Sequence, residues 1–485
     1  MKRMLAMVLT AAMMLSLLTA CGNQDTPSDS ADNQNATVET PTGNDEGEVP
    51  GAEVEHAEDT IRVTFPPVTG NYEELLNAWI PAFEAEYPWL HVELEMTSWD
   101  ENPNMITTKG LSGDAPDIVM NDFKMIGTLV EMGVAVDVAA YLDAGALADY
   151  DQNALDYLTL DGTLYALPLY MTIQSLGGNK LMLENAGADV EKIQTQGWTW
   201  AEFEEILKKG TTADTYGLVF ADATAATADF VNIFGVAAGI SNDFTPDLKY
   251  AYTSQNMLNL LKTVETMISS GYMPNYPVEA GQRLVMLQTG QTMVTGKAMP
   301  LFEANVKNNI AALADGSAVE GTIEDLEYVF LPVPALDGVT PACYGIVDCL
   351  LPCRNRNTTD EHLENVMLLL NYLTSGDRIA EVANQVYLPA VCESGRAAQA
   401  GSTLDQSDAN AAASERCMGL VIAPPTGITA EQNAAAKDIL NETIVPKFQS
   451  LIAGEITAQA MYDEICKAAF EKFGEENCET GFFTY

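Results

Sequence analysis

Three histidines, 69 acidic side chains and eight cysteines are what this 485-residue chain offers for chemistry. His56, His91 and His362 stand far apart. The run Cys343, Cys349, Cys353 has the spacing C-x5-C-x3-C, which matches no zinc ribbon or finger. Buried thiols or one or two disulfides are expected there rather than a metal, with pairing that the sequence does not specify. No G-x-S-x-G elbow, H-E-x-x-H pair or Walker loop occurs. A glycoside hydrolase needs only two carboxylates at a set separation, and among so many acids such a pair points nowhere in particular. No enzymatic activity, cofactor or metal is therefore expected, with a carboxylate-based hydrolase kept as an alternative. What remains is ligand-binding chemistry. Tyr72, Trp99, Asp100, Asp122, Tyr170, Met171, Gln174, Lys297, Tyr344 and Tyr387 are the candidate contacts. Trp99 and the tyrosines can bury apolar C–H faces, and Asp100, Asp122 and Gln174 can meet hydroxyls. Each also has a plainer reading as packing or a solvated loop.

Those residues fall at the edges of elements that the pattern predicts. Asp161 to Lys180 reads as an extended crossing segment, because Pro168 in its middle cannot donate to a central sheet ladder. It suits a hinge between two α/β lobes. Before it, Ile61 to Phe65 and Leu90 to Met96 read as strands, Asp117 precedes a third, and Asn71 to Glu74 has the cap-x-x-Glu spacing of a helix start. Leu75, Leu76, Trp79, Ile80 and Phe83 continue that helix, with a kink expected at Pro81. Strand, helix, strand, helix, strand argues a parallel sheet with crossover helices. Ligands gather at the carboxyl ends of such strands, so Val68 to Tyr72, Thr97 to Glu101 and Asn121 to Lys124 should share one rim. Beyond the hinge, Thr199 and Glu202 should cap a helix, and Trp198 and Trp200 beside it should close a hydrophobic joint. Gln291 to Ala298 and Tyr344 to Leu351 read as strands. Glu327 to Pro334 and Gln385 to Val391 read as further proline-bearing connectors. Helices are expected at Glu361 to Leu373, with His362 facing outward, at Ala430 to Leu451 and at Thr457 to Phe473.

The N-terminus carries a short basic region, Lys2 and Arg3, then an apolar run from Met4 to Leu18 that is shorter than the roughly 20 residues needed to span a bilayer. Leu18-Thr19-Ala20-Cys21 resembles a bacterial lipobox, which implies cleavage before Cys21 and a diacylglycerol on its thiol that holds the chain to the outer face of the membrane. Residues 22–60 contain eleven acidic side chains and no Lys or Arg. Such a stretch should be a disordered tether, with a reach on the order of 30 to 40 Å. The formal charge of the whole chain is −46. So acidic a surface argues against nucleic acid or anionic lipid as a partner and makes a neutral or cationic ligand fit better.

The order of motifs resembles the family 1 extracellular solute-binding proteins of ABC importers, the maltose-binding-protein-like group. The fragments are AWIPAFEAEYPWLHVEL, GDAPDIVMND, LYALPLYMT, GGNKLMLENAG followed by WTWAEFEEILKK, GQTMVTGKAM, FLPVPALDGVTPACYGI and QVYLPAV. The resemblance runs from about Ile61 to Phe473. It implies an α/β, two-lobed periplasmic-binding-protein-like fold of type II, with crossings near 167 to 172, 329 to 334 and 386 to 391 and a ligand in the cleft. The expected organisation is a signal peptide over 1–20, a lipid-anchored tether over 21–60, one lobe from 61–168 plus 335–386 and the other from 172–328 plus 391–485. The implied partners are a small solute, most simply a carbohydrate, and the permease subunits of an ABC transporter, with the chain itself a monomer. A polyamine is the alternative ligand. The chain departs from the family where sugar binders often carry Trp after the glycine of MVTGKAM, since Lys297, Ala298 and Met299 stand there. The strand ending at Asp122 likewise has no Trp.

Overall fold

The computed structural model describes residues 56–484 apart from 100, 143, 224–225, 401–406 and 426. The leader, Cys21, nearly all of the tether and Asp100 lie outside the described residues.

Alternating β-branched and aromatic residues set the first sheet region. Strand β1 (Asp59–Phe65) buries Ile61, Val63 and Phe65, and it pairs in parallel with β2 (Leu90–Met96) and β3 (Ile118–Asp122) in the order β2-β1-β3. Helices Tyr72–Glu86 and Asn102–Leu111 make the crossovers, so the expected parallel unit is present. Helix Tyr72–Glu86 buries Tyr72, Leu76, Trp79 and Phe83, and Pro81 lies within it without ending it. Asn71 makes no side-chain cap, contrary to the expectation. The tether also ends earlier than expected. Asp59 and Thr60 already pair with Leu90 and His91, and the His56 ring stacks on Trp89 at 4.0 Å.

The stretch from Asp161 begins with a turn rather than a strand. Asp161 (φ 51°) and Gly162 (φ 76°) are the left-handed corner of a small hairpin between β4 (Thr159–Leu160) and β5 (Thr163–Leu164). Strand β6 (Leu167–Asn179) follows and is the longest in the molecule's main sheet. Its first part pairs only with β10 (Tyr344–Pro352), antiparallel, while its last residues lie between β8 (Thr292–Ala298) and β9 (Tyr328–Leu331). Pro168 therefore occupies the half of β6 that has one neighbour. The register there slips so that Tyr170 faces Asp348 and Pro168 faces Cys349, a bulge that tolerates the missing donor. β7 (Tyr216–Val219) closes the far side, parallel to β8. The full order is β2-β1-β3-β10-β6-β8-β7, with β9 also on β6.

Two buried apolar clusters lie around this sheet. One contains β1, β3 and helix Asp360–Leu373; the other contains helices Trp200–Gly210, Gln255–Ser269 and Ala458–Phe473. Thr199 and Glu202 form the expected capping box, and Trp198 and Trp200 are buried against Phe203, with the Trp198 indole donating to Pro332 O at 2.8 Å. At Gly296 a Cβ would stand 1.8 Å from the Phe220 ring, so only glycine fits in β8 at that point. In the segment 386–391, Val386, Leu388, Ala390 and Val391 are packed into the first cluster, and Asp151 N donates to Val391 O at 2.9 Å.

Candidate functional site

β3 ends on Asp122, where Oδ1 accepts the Lys124 backbone N–H at 2.9 Å and turns the chain into helix Met125–Glu131. The Phe123 N–H donates to Val347 O at 3.0 Å, which fastens this loop to β10. The loop and β10 together bring Lys124 Nζ to 2.8 Å from the hydroxyl of Tyr344. From the second cluster, helix Ala226–Gly235 supplies Asn232, whose Nδ2 donates to the same hydroxyl at 3.2 Å and whose Oδ1 accepts from Tyr252 at 2.9 Å. Tyr252 also hydrogen-bonds Asp243. The result is one polar chain, Lys124–Tyr344–Asn232–Tyr252–Asp243, that runs from one cluster to the other.

It borders a cavity of about 70 Å³. Phe123 and Tyr157 meet edge to face at 4.8 Å on one wall; residues 240–244 form the opposite wall. Pro424 and Pro425 close it, on a segment held from both sides by Tyr157 Oη donating to Ile422 O at 3.2 Å and Asn242 Nδ2 donating to Ala423 O at 3.1 Å. Ser241 Oγ on the cavity wall is buried without a partner, which leaves a hydroxyl ready for a ligand group. Two larger grooves, of about 410 and 430 Å³, lie around Leu336 and Asp337. They lie mostly on the second cluster's surface, whereas the small cavity is walled from both clusters, which makes it the better site.

Its electrostatics are those of a buried cation among acids. Burial works against the Lys124 ammonium, but Tyr344, Asp122 and Asp243 outweigh it and hold its pKa above the ordinary lysine value. Burial raises Asp122 and Asp243 above the usual carboxylate range, and Lys124 offsets only part of that rise. Next to them on β10, Asp348 is pushed up to about 7 by burial and then by Asp122, although Tyr170 and Thr172 hydrogen-bond it. Gln174, paired in register with Tyr344, keeps its Oε1 buried and unpartnered.

Of the candidate residues, Tyr344 lines the cavity, and Asp122, Tyr170 and Gln174 lie beside it on facing positions of β3, β6 and β10. Lys297 (φ 48°) is committed to an ion pair with Asp229. Tyr72 is core, edge-on to Trp79. Trp99 is 37 % exposed and donates to Pro67 O at 2.7 Å, joining two loops of the expected rim away from the cavity. Met171 is buried near Asp151, Pro389 and Arg396, and Tyr387 (φ 59°) follows helix Gly376–Gln385 within the first cluster's segment. Lys124, Phe123, Tyr157, Asn232, Asp243, Tyr252 and Asp348 were not among the candidates. Only the rim loop Asn121 to Lys124 signalled any of them, since the sequence assigned no element to 226–253.

Comparison with known proteins bears on the family and the fold. Residues 69–342 match the family described as bacterial extracellular solute-binding protein. An uncharacterized lipoprotein of Streptomyces antibioticus is 25 % identical over 150 residues, 30 % of this chain and 32 % of that protein, so the match spans about a third of that relative's length. A candidate binding protein of Brucella abortus is 21 % identical over 326 residues, 66 % of this chain and 73 % of the other. Among solved structures, the GacH receptor of Streptomyces glaucescens superposes with a TM-score of 0.66 at 15 % identity, covering 86 % of this chain and 100 % of that one. The cyclic α-maltosyl-1,6-maltose binding protein of Arthrobacter globiformis gives 0.64 at 16 %, with the same coverage. An ABC transporter solute-binding protein of Thermotoga lettingae bound with α-D-tagatose gives 0.64 at 21 %, covering 85 % and 100 %. The fold is theirs, and with more than half of its residues matched the chain belongs to the bacterial extracellular solute-binding protein family.

Proposed function

We propose that the chain is a lipid-anchored receptor, held at the outer face of the membrane through Cys21, that captures a small carbohydrate between two lobes and delivers it to the permease of an ABC importer. The observation that carries this is the cavity, walled from both apolar clusters and crossed by the Lys124–Tyr344–Asn232–Tyr252–Asp243 chain. A vicinal diol suits such a lining, because one hydroxyl can accept from Lys124 while its neighbour donates to Asp243. Phe123 and Tyr157 offer apolar surface to a sugar's C–H face. The three structural neighbours named above are described with maltosyl sugars, acarbose and tagatose. A ligand that touches both walls favours the closed arrangement, which is how closure and capture become linked.

A thermal-shift screen of the full chain in detergent tests this. Ligand at about 100 times its dissociation constant stabilises the folded state by roughly 2.7 kcal/mol. Neutral mono- or oligosaccharides should raise the melting temperature, and amino acids and phosphates should not. The acidic group Asp122, Asp243 and Asp348 favours polyamines as a second reading. A rise with spermidine and none with any sugar overturns the carbohydrate assignment, and conversion of a sugar into product favours the hydrolase. Fatty-acid labelling that survives Cys21→Ser overturns the anchor.

A further inference from the structure

The seven cysteines after Cys21 are all thiols in this structure, and six of them are buried. Most face other groups. Cys349 Sγ lies 3.4 Å from Asn121 O, Cys353 Sγ 3.7 Å from Leu351 O, and Cys392 lies beside Ser394. Cys343 Sγ likewise lies 3.7 Å from Tyr344 O, but its side chain also hydrogen-bonds that of Cys417, which sets this pair apart. The backbone holds them in that relation. Cys343 N–H donates to Leu420 O at 3.0 Å, the Leu420 N–H donates back to Cys417 O at 3.0 Å, and Cys343 forms a parallel bridge with Val421. Cys417 ends helix Asp408–Met418; Cys343 immediately precedes β10. Both are 3 % exposed or less.

We propose that Cys343 and Cys417 are a disulfide site, closed when the chain meets a disulfide oxidant outside the cytoplasm. In the step, one cysteine thiolate attacks a sulfur of the oxidant and expels one thiolate; the second cysteine attacks the protein sulfur of the mixed disulfide and expels the other. One S–S bond forms and one breaks. The two protein protons pass to the two expelled thiolates, and the oxidant gains the electron pair. The hydrogen bond that its S–H donates to Cys417, together with burial, raises the Cys343 thiol well above the usual range. The folded pair is therefore a poor nucleophile, and the bond is made during folding, before the site closes.

Its position gives it a consequence for ligand capture. Tyr344, the next residue after Cys343, lines the cavity, and so do Pro424 and Pro425, just beyond the Leu420–Val421 rung. A bond between Cys343 and Cys417 would fix two cavity walls to each other. It closes a long loop, which is where a crosslink removes most entropy from the unfolded chain. The inference does not depend on the ligand being a sugar.

The full chain is refolded from urea with oxidised glutathione as the oxidant, alkylated under denaturing conditions, digested and mapped by mass spectrometry without reduction. The expected result is a linked peptide pair containing Cys343 and Cys417, with the other five cysteines after Cys21 alkylated. Treatment with dithiothreitol should then lower the melting temperature by about 4 °C, and this drop should vanish in Cys343→Ser. Alkylation of both Cys343 and Cys417 after oxidation, or a link from either to a different cysteine, overturns the proposal. The peptide map uses the wild type, so a variant that fails to fold does not affect it.

Discussion

The two ends of β3 carry an aspartate each, and the two are treated in opposite ways. At the entry end Asp117 is 2 % exposed and saturated: its carboxylate accepts the Arg62 N–H at 2.8 Å and Asn355 Nδ2 at 3.0 Å, and it lies 3.2 Å from His362 Nε2. The other imidazole nitrogen of His362 meets Asp59 at 2.8 Å, where the Asn365 amide also donates. At the exit end Asp122 sits opposite a second carboxyl, Asp348, and follows Asn121, whose buried Nδ2 has no partner. One end of the sheet is finished within the chain, and the other is left with groups that still lack partners. Pairing that is complete serves stability; pairing that is incomplete marks where something else is expected to bind.

The largest effect should come from the finished end. Asp117→Ala removes an acceptor shared by three donors and leaves His362 between one partner and a void. A loss of about 3 kcal/mol in urea unfolding is expected, with unchanged ligand affinity in the fraction that folds. Lys124→Met is the counterpart. Calorimetry with the sugar that scores in the thermal screen should show affinity weakened about 100-fold, or roughly 2.7 kcal/mol, because the cation that joins Asp122, Asp243 and Tyr344 is gone. If Asp117→Ala weakened binding while Lys124→Met did not, the division between the two ends would fail.

The pH dependences of the two ends should have different windows. The Asp348 carboxyl holds its proton to about pH 7 when folded against 3.8 ordinarily. The folded state therefore binds more protons through that window, and stability falls as pH rises from near 4 to above 7. Asp348→Asn should accordingly raise the unfolding midpoint at pH 8, by about 2 kcal/mol, and leave it near wild type at pH 4. His362 works from the other side. Asp117 first, then Asp59, hold its folded pKa up at about 8 against 6.5 ordinarily. Its contribution is complete below pH 6.5 and is lost as pH rises through 8. After allowance for solvent screening that is about 1 kcal/mol, seen as a drop in urea midpoint between pH 6 and pH 9 that disappears in His362→Asn.

The sequence disclosed the parallel β1–β3 unit because strand alternation, helical spacing and Gly–Pro breaks are all local. It also disclosed β8, β10 and the Thr199 capping box for the same reason. Tyr344 and Asp122 could be found because they end or begin such elements. Lys124 lies on the expected rim loop without being singled out, and Asn232 and Asp243 fall in 226–253, to which the sequence assigns no element; what makes them a site is a meeting of distant segments. His362 looked outward for a similar reason. Its two carboxylates come from β1 and from the residue before β3.

The strand order has one more effect, on timing. β10 is inserted between β3 and β6, so the first sheet region lacks its antiparallel neighbour until residues 344–352 have been synthesised. Pairings that distant in sequence form slowly. For a member of an extracellular protein family, such slowness is useful. While residues 344–352 are still unmade, the leading half has no complete sheet to collapse into, and it stays open until the late strand arrives to lock it.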